Sequence, residues 1–291
     1  MILLETGDYR LELAPEQGGS ISRFDWQGEA LMRPTGGPSI LDTACFPLVP
    51  FSNRVAHGRF QADARKVVLS PNFPGTDHPH TLHGFGWLTA WNVVETSTGR
   101  AVLQHDQPAG EWPWPYRARQ SFDLAAEGLT MTLDITNLGD TPMPAGLGFH
   151  PYFPRTAMTR YHGLHRGEWH NTADCLPVEL DLRDSAVDWW QGAPVPARAV
   201  DTAYAGREGP LTITWPERQL CLTLTPSDLL GTTVVYTPAD ADFFCVEPVS
   251  HATDAHNRDP GELVWLEPGQ SASVSLTLSA APFTDASLTS D

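Results

Sequence analysis

Residues 128–137 read Gly-Leu-Thr-Met-Thr-Leu-Asp-Ile-Thr-Asn, with Leu129, Met131, Leu133 and Ile135 alternating with Thr and Asp without a break. A period of two sends successive side chains to opposite faces of an extended chain. The segment therefore predicts a strand with one face in a core and the other in water. The same alternation recurs at Tyr9, Leu11, Leu13; at Leu211, Ile213, Trp215; at Leu220, Leu222, Leu224; and at Val274, Leu276, Leu278. Turn-forming pairs such as Glu127-Gly128, Gly139-Asp140 and Pro268-Gly269 separate these runs. Strands of this kind assemble antiparallel, and no long apolar stripe of helical period interrupts them. The expectation is an all-β chain, a large antiparallel β-sandwich.

Composition agrees. The 291 residues include 24 Gly and 26 Pro but only 18% charged side chains, which argues against a helical bundle or coiled coil. No internal repeat, low-complexity tract or Pro/Ser linker divides the strand pattern, so residues 1–291 read as a single domain with a tail fraying from about Asp285.

Eighteen basic residues against 35 acidic ones leave a net charge of −17, which repels phosphate backbones and anionic headgroups. Nucleic acid and membrane surfaces are therefore excluded as expected partners. The longest uncharged stretch, Pro268 to Thr284, is broken throughout by Ser and Thr and does not suit hydrocarbon. Met1 to Ala14 carries Glu5, Asp8, Arg10 and Glu12 and has no apolar core of signal-peptide type, so the expected location is cytoplasmic. Cys45, Cys175, Cys221 and Cys245 lie far apart with no Cys-x-x-Cys pair, and are read as reduced, buried thiols.

Four clusters break the alternation and are expected at loops or strand ends, where sites are commonly built. Phe46-Pro-Leu-Val-Pro-Phe-Ser-Asn53-Arg54 ends in a guanidinium, a rigid fork of donors for hydroxyls or carboxylates, or one half of a surface ion pair. Asp77-His-Pro-His-Thr-Leu-His-Gly-Phe-Gly-Trp87 carries His78, His80 and His83. These could serve as metal ligands, although Pro79 and the shortage of further ligands weigh against it. The competing reading is a single buried His83 beside Gly84, whose missing side chain would let a ligand approach the backbone.

His150 lies in the uncharged run Pro144-Ala-Gly-Leu-Gly-Phe-His-Pro-Tyr-Phe-Pro154, where desolvation would lower its pKa, whether as a satisfied core residue or as a reacting group. Glu247 follows Phe243-Phe-Cys-Val, and a carboxylate among such residues is paired, here with Arg54 or a histidine, or is buried for a reaction. Ser52 lacks the G-x-S-x-G context, and no phosphate-binding Gly loop is present. Asp201 and Glu247 could in principle face each other as a glycosidase pair. What remains is proton transfer between a carboxylate base and an imidazole acid.

At these clusters the sequence resembles the aldose 1-epimerases, or galactose mutarotases, and more closely their shorter bacterial relatives. The resemblance is nearly full-length. It rests on F-P-L-V-P-F-S-N-R, H-x-L-H-G-F-G-W, W-P-W-P-Y from Trp112 to Tyr116, G-L-G-F-H-P-Y-F, Val200-Asp201-Thr202-Ala203-Tyr204 and C-V-E-P-V-S-H-x-x-D-A-x-N, in the family's order. It implies a galactose-mutarotase-type sandwich that interconverts the α and β anomers of a free monosaccharide without cofactor or metal. A non-catalytic carbohydrate-binding protein of the same fold is the alternative.

By the same resemblance Glu247 is the catalytic base and His150 the acid, while Arg54, His83, Asp201 and Asn53 bind the sugar. Trp87 is a further sugar contact, and Trp112, Trp114 and Tyr152 are candidates for stacking on the ring. Three departures concern the substrate. Val249 stands where galactose-type members carry Gln, Gly86-Trp87 where the phospho-sugar branch carries Arg, and Arg207 where close relatives carry Trp. The first bears on a sugar contact and the third on the edge of the pocket, while the second, with the acidic net charge, favours a neutral aldose over a phosphorylated one.

Overall fold

The computed structural model describes residues 1–62 and 65–283, so the tail expected from about Asp285 lies outside the described residues. The five alternating segments fall within the strands Tyr9–Ala14, Gly128–Asn137, Asp201–Trp215, Leu220–Pro226 and Ser271–Pro282. Their apolar residues are buried, and register places them opposite one another: Leu211 faces Leu224, Leu224 faces Leu278, and Leu278 faces Leu129. Each fully buried leucine contributes about 1.5–3 kcal/mol. A slip of one residue would turn the whole row to solvent, so the pattern specifies the register.

Among the described residues all strand pairings are antiparallel within a main sheet of 17 strands, joined by three two-stranded sheets. Among the described residues, α-helix is confined to the single turn Ala255–Arg258, and no helix is long and apolar enough to cross a membrane.

A second, smaller apolar cluster, which includes Phe46, Leu48, Trp87, Tyr152, Ala203, Val234 and Cys245, lies beside the main core. It is built on four neighbouring strands, Cys45–Leu48, Gly148–Pro154, Phe243–Val249 and Thr232–Tyr236, the last of which pairs with the start of Asp201–Trp215. Phe46 faces His150, and Gly148 facing Val249 with Tyr152 facing Cys245 sets His150 opposite Glu247. Glu247 in turn faces Val234, which faces Ala203. The adjacent row runs Tyr152, Cys245, Tyr236, Asp201.

Of the loops or strand ends expected for the third and fourth clusters, the structure takes strands: His150 and Glu247 each lie two residues in from a strand terminus. Both faces of Gly148–Pro154 and Phe243–Val249 are buried almost throughout, so these strands read as continuous apolar runs and show no alternation.

Candidate active site

A cavity of about 260 Å³ opens over these rows. All four clusters and Asp201 reach it: Asn53 and Arg54 from the first, His83 from the second, His150 from the third, Glu247 from the fourth.

The loop residues are held by each other. The His83 amide donates to the Asn53 carbonyl at 2.9 Å, and the Asn53 amide donates to His83 Nδ1 at 3.1 Å. With Nδ1 an acceptor, the neutral ring carries its proton on Nε2. Burial lowers the His83 pKa well below its ordinary value, and His150 and Arg54 add to the effect.

Both residues hold left-handed backbone, with φ of 54° at Asn53 and 59° at His83. Gly84 follows at 68°, and a Cβ there would lie 2.3 Å from the Val49 carbonyl oxygen. The role expected for Gly84 is corrected accordingly. Its missing side chain admits the Val49 carbonyl, and the approach serves the loop.

Arg54 donates through Nη2 to Asp201 Oδ2 at 3.2 Å and through Nη1 to Asn53 Oδ1 at 3.0 Å. This is the one guanidinium among the residues lining the cavity, and a carboxylate already balances it.

The His150 ring packs against two aromatic rings, with centroids 4.4 Å from Phe46 and 4.8 Å from Tyr152, and His83 meets it edge-on at 5.2 Å. His150 Nε2 is 3.3 Å from Glu247 Oε1, while His150 Nδ1 and Glu247 Oε2 have no partner. Burial opposes charge on both. It lowers His150 to about 3 and raises Glu247 well above the usual carboxylate range, with Asp201 adding to the latter. Burial thus drives both members of this contact toward their neutral forms.

Trp87 requires a correction. It is fully buried behind His83, its ring 5.3 Å away edge-on and its Nε1 donating to the Gly84 carbonyl at 3.2 Å, and it does not line the cavity. Trp112 and Trp114 are core residues packed on each other, whereas Tyr152 does form part of the wall. Sequence reasoning did not nominate Leu41, Phe73, Leu82, Tyr236 or Phe243, which complete the lining. Leu82 and Phe243 belong to clusters already quoted, but Leu41, Phe73 and Tyr236 carry no local signal and reach the cavity only through the tertiary fold. Val249 and Arg207 do not line it; Val249 packs within the floor and Arg207 donates to the Leu230 and Pro226 carbonyls.

The three histidines of the second cluster do not converge. His80 engages Asp174 at 3.1 Å and accepts from the His57 amide. Among the described residues, only His150, Cys245 and Glu247 bring three ligand atoms within 4.8 Å of one another. Burial pushes the Cys245 thiol well above its ordinary value and keeps the sulfur protonated, which works against ligation.

Chemically, the cavity offers a carboxyl and an imidazole in contact, an imidazole N–H, and a guanidinium tied to a carboxylate. The chain is 36% identical over 285 residues to the uncharacterized protein YphB of Escherichia coli (strain K12), an alignment spanning 94% of this chain and 97% of that one. A crystal structure of a candidate aldose 1-epimerase from Escherichia coli K12 superimposes with a TM-score of 0.89 at 34% identity, covering 97% and 98% of the two chains. A galactose mutarotase-like protein from Clostridium acetobutylicum shares the fold at a TM-score of 0.83 and 17% identity, covering 97% and 95%. The family model for aldose 1-epimerases matches residues 1–279, and the chain belongs to that family.

Proposed function

We propose that the protein is an aldose 1-epimerase acting on a neutral free aldose, with Glu247 as base and His150 as acid. The observation that carries this reading is their 3.3 Å contact on the floor of a cavity whose walls supply Arg54, Asp201, Asn53 and His83. At 260 Å³ the cavity is smaller than the clefts of about 300–1,000 Å³ that hold drug-sized ligands, which favours a single sugar ring over a chain.

The proton balance is closed. Glu247 takes the proton from the C1 hydroxyl while His150 delivers one to the ring oxygen; the C1–O5 bond breaks, leaving an aldehyde and a C5 hydroxyl. Rotation about C1–C2 presents the other face of the aldehyde, and the same transfers run backwards to give the opposite anomer. Cyclic sugar accompanies the charged pair and open aldehyde the neutral pair. Burial favours neutral Glu247 and neutral His150, and so favours the ring-opened complex relative to a solvated site. A positioned acid or base typically contributes about 10²- to 10⁴-fold.

Among the described residues the pairing of Arg54 with Asp201 leaves no free guanidinium or ammonium in the lining for a phosphate, which supports the neutral-sugar reading. Four cysteines without a disulfide fit a reducing, cytoplasmic setting. The test is anomer exchange, followed by polarimetry or NMR on freshly dissolved α-glucose, α-galactose and other aldoses. The reading fails if no sugar equilibrates faster with the wild type than with Glu247→Gln. Sugar binding without faster exchange would instead identify a carbohydrate-binding protein.

A further inference from the structure

Arg33 lies outside the cavity lining, yet it is tied to the proposed acid by an unbroken stack of planar groups. Its guanidinium sits 4.1 Å over the Tyr152 ring and 4.4 Å over the Phe243 ring, both of which form cavity wall. Tyr152 stacks on His150 at 4.8 Å with 29° between planes, and Phe46 covers His150 at 4.4 Å. Arg33 is itself anchored. Nη2 donates to the carbonyls of Leu41 at 2.6 Å and Thr43 at 3.0 Å, and its amide donates to the Tyr152 carbonyl at 2.8 Å.

No carboxylate lies within 4.0 Å of the guanidinium among the described residues, and its buried Nε has no partner. In a chain with 35 acidic residues against 18 basic ones, a half-buried cation left to two aromatic rings and two carbonyls is conspicuous. An arginine over an aromatic face is held by the ring quadrupole, more strongly when shielded from water.

We propose that Arg33 is a positioning residue for the reaction: it clamps Tyr152, and through Tyr152 it holds the His150 imidazole facing Glu247 and the ring oxygen of the sugar. The proposal rests on His150 being the acid. The groups that face His150 are Glu247 and Cys245 from the neighbouring strand, His83 from the loop, and the Arg54–Asp201 pair across the cavity. Arg33 adds a positive charge on the Tyr152 side, which disfavours the imidazolium.

The experiment compares Arg33→Met, which keeps the stem and removes the cation, with Arg33→Lys and with both in a Tyr152→Leu background. Arg33→Met is expected to lower kcat about tenfold to hundredfold, as a small misplacement of a reacting group does, with KM within about twofold of wild type. Arg33→Lys restores part of the loss. In the Tyr152→Leu background Arg33→Met adds little, because the two act in series. The His150 titration, followed by NMR and assigned against His150→Gln, moves upward in Arg33→Met.

Wild-type kcat in a folded Arg33→Met, or losses at Arg33 and Tyr152 that simply add, would overturn the proposal. So would an unmoved His150 titration. The NMR readout needs no turnover. If no aldose is turned over by the wild type, the functional reading fails while the link from Arg33 to His150 is still decided.

Discussion

His150 Nε2 and Glu247 Oε1 lie 3.3 Å apart, 97 positions apart in the chain yet directly opposite across two paired strands. At this distance a charge on either group acts directly on the other. As the proposed acid and base for one hemiacetal, they would behave as one device.

Glu247→Gln and His150→Gln should therefore each lower kcat by about 10²- to 10⁴-fold. The double variant should be about as impaired as the worse single one, because removing either member stops both transfers. Anomer-exchange NMR on the three variants measures this. Multiplying losses would show that the two groups act in separate steps.

The sandwich was legible because strands with one wet face, such as Gly128–Asn137, declare themselves by alternation. The floor of the site was legible only as composition. Gly148–Pro154 and Phe243–Val249 are covered on both sides, so His150 and Glu247 read as polar interruptions at a loop or strand end. Trp87 sits in the stretch H-x-L-H-G-F-G-W but faces inward, and a motif fixes residue type without fixing the direction of a side chain. Arg33 and Phe73 carry no motif at all, since what matters about them is which rings the fold stacks beside them.

Asp201 balances the guanidinium of Arg54 at 3.2 Å. Asp201→Asn should leave that cation free to meet an anion. Turnover of a neutral aldose should fall, since the proposed sugar contact is altered, but kcat/KM for a hexose 6-phosphate relative to the parent hexose should rise about tenfold, a change of about 1.4 kcal/mol. Parallel assays on the two sugars report the ratio. A ratio that does not change would mean that Arg54 does not reach the sugar's phosphate side.

Gly84 combines a φ of 68° with a Cβ position only 2.3 Å from the Val49 carbonyl oxygen. Gly84→Ala has no room for its methyl group and must shift the loop that carries His83. Backbone strain of this kind costs about 1–3 kcal/mol, and urea unfolding should show at least that loss. Because His83 moves with the loop, sugar affinity should weaken in the folded variant as well. Gly75 has a similar φ of 78°, but a Cβ there would meet nothing within 4 Å, so Gly75→Ala is the control for conformational strain alone.

His256 is enclosed by Phe51, Phe60 and Trp112, with centroids at 5.4, 4.5 and 5.9 Å, and neither ring nitrogen has a partner. Burial holds its pKa well below the ordinary value, and the neighbouring His251 adds to this. In the unfolded chain the imidazole titrates near 6.5. As pH falls below that value the unfolded state binds a proton that the folded state refuses, and stability drops by up to about 1.4 kcal/mol per pH unit for this one group. His83, His150 and His251 are depressed in the same direction and steepen the slope together. His256→Phe places a ring of similar outline among the same aromatics and removes one titrating group. It should match or exceed wild-type stability at neutral pH and lose stability less steeply on acidification, by one proton's share, when urea melts are compared between about pH 6.5 and 4.5. An unchanged slope would mean that His256 takes up its proton in the folded protein, and that a water or a rearranged partner reaches a nitrogen which the packing leaves bare.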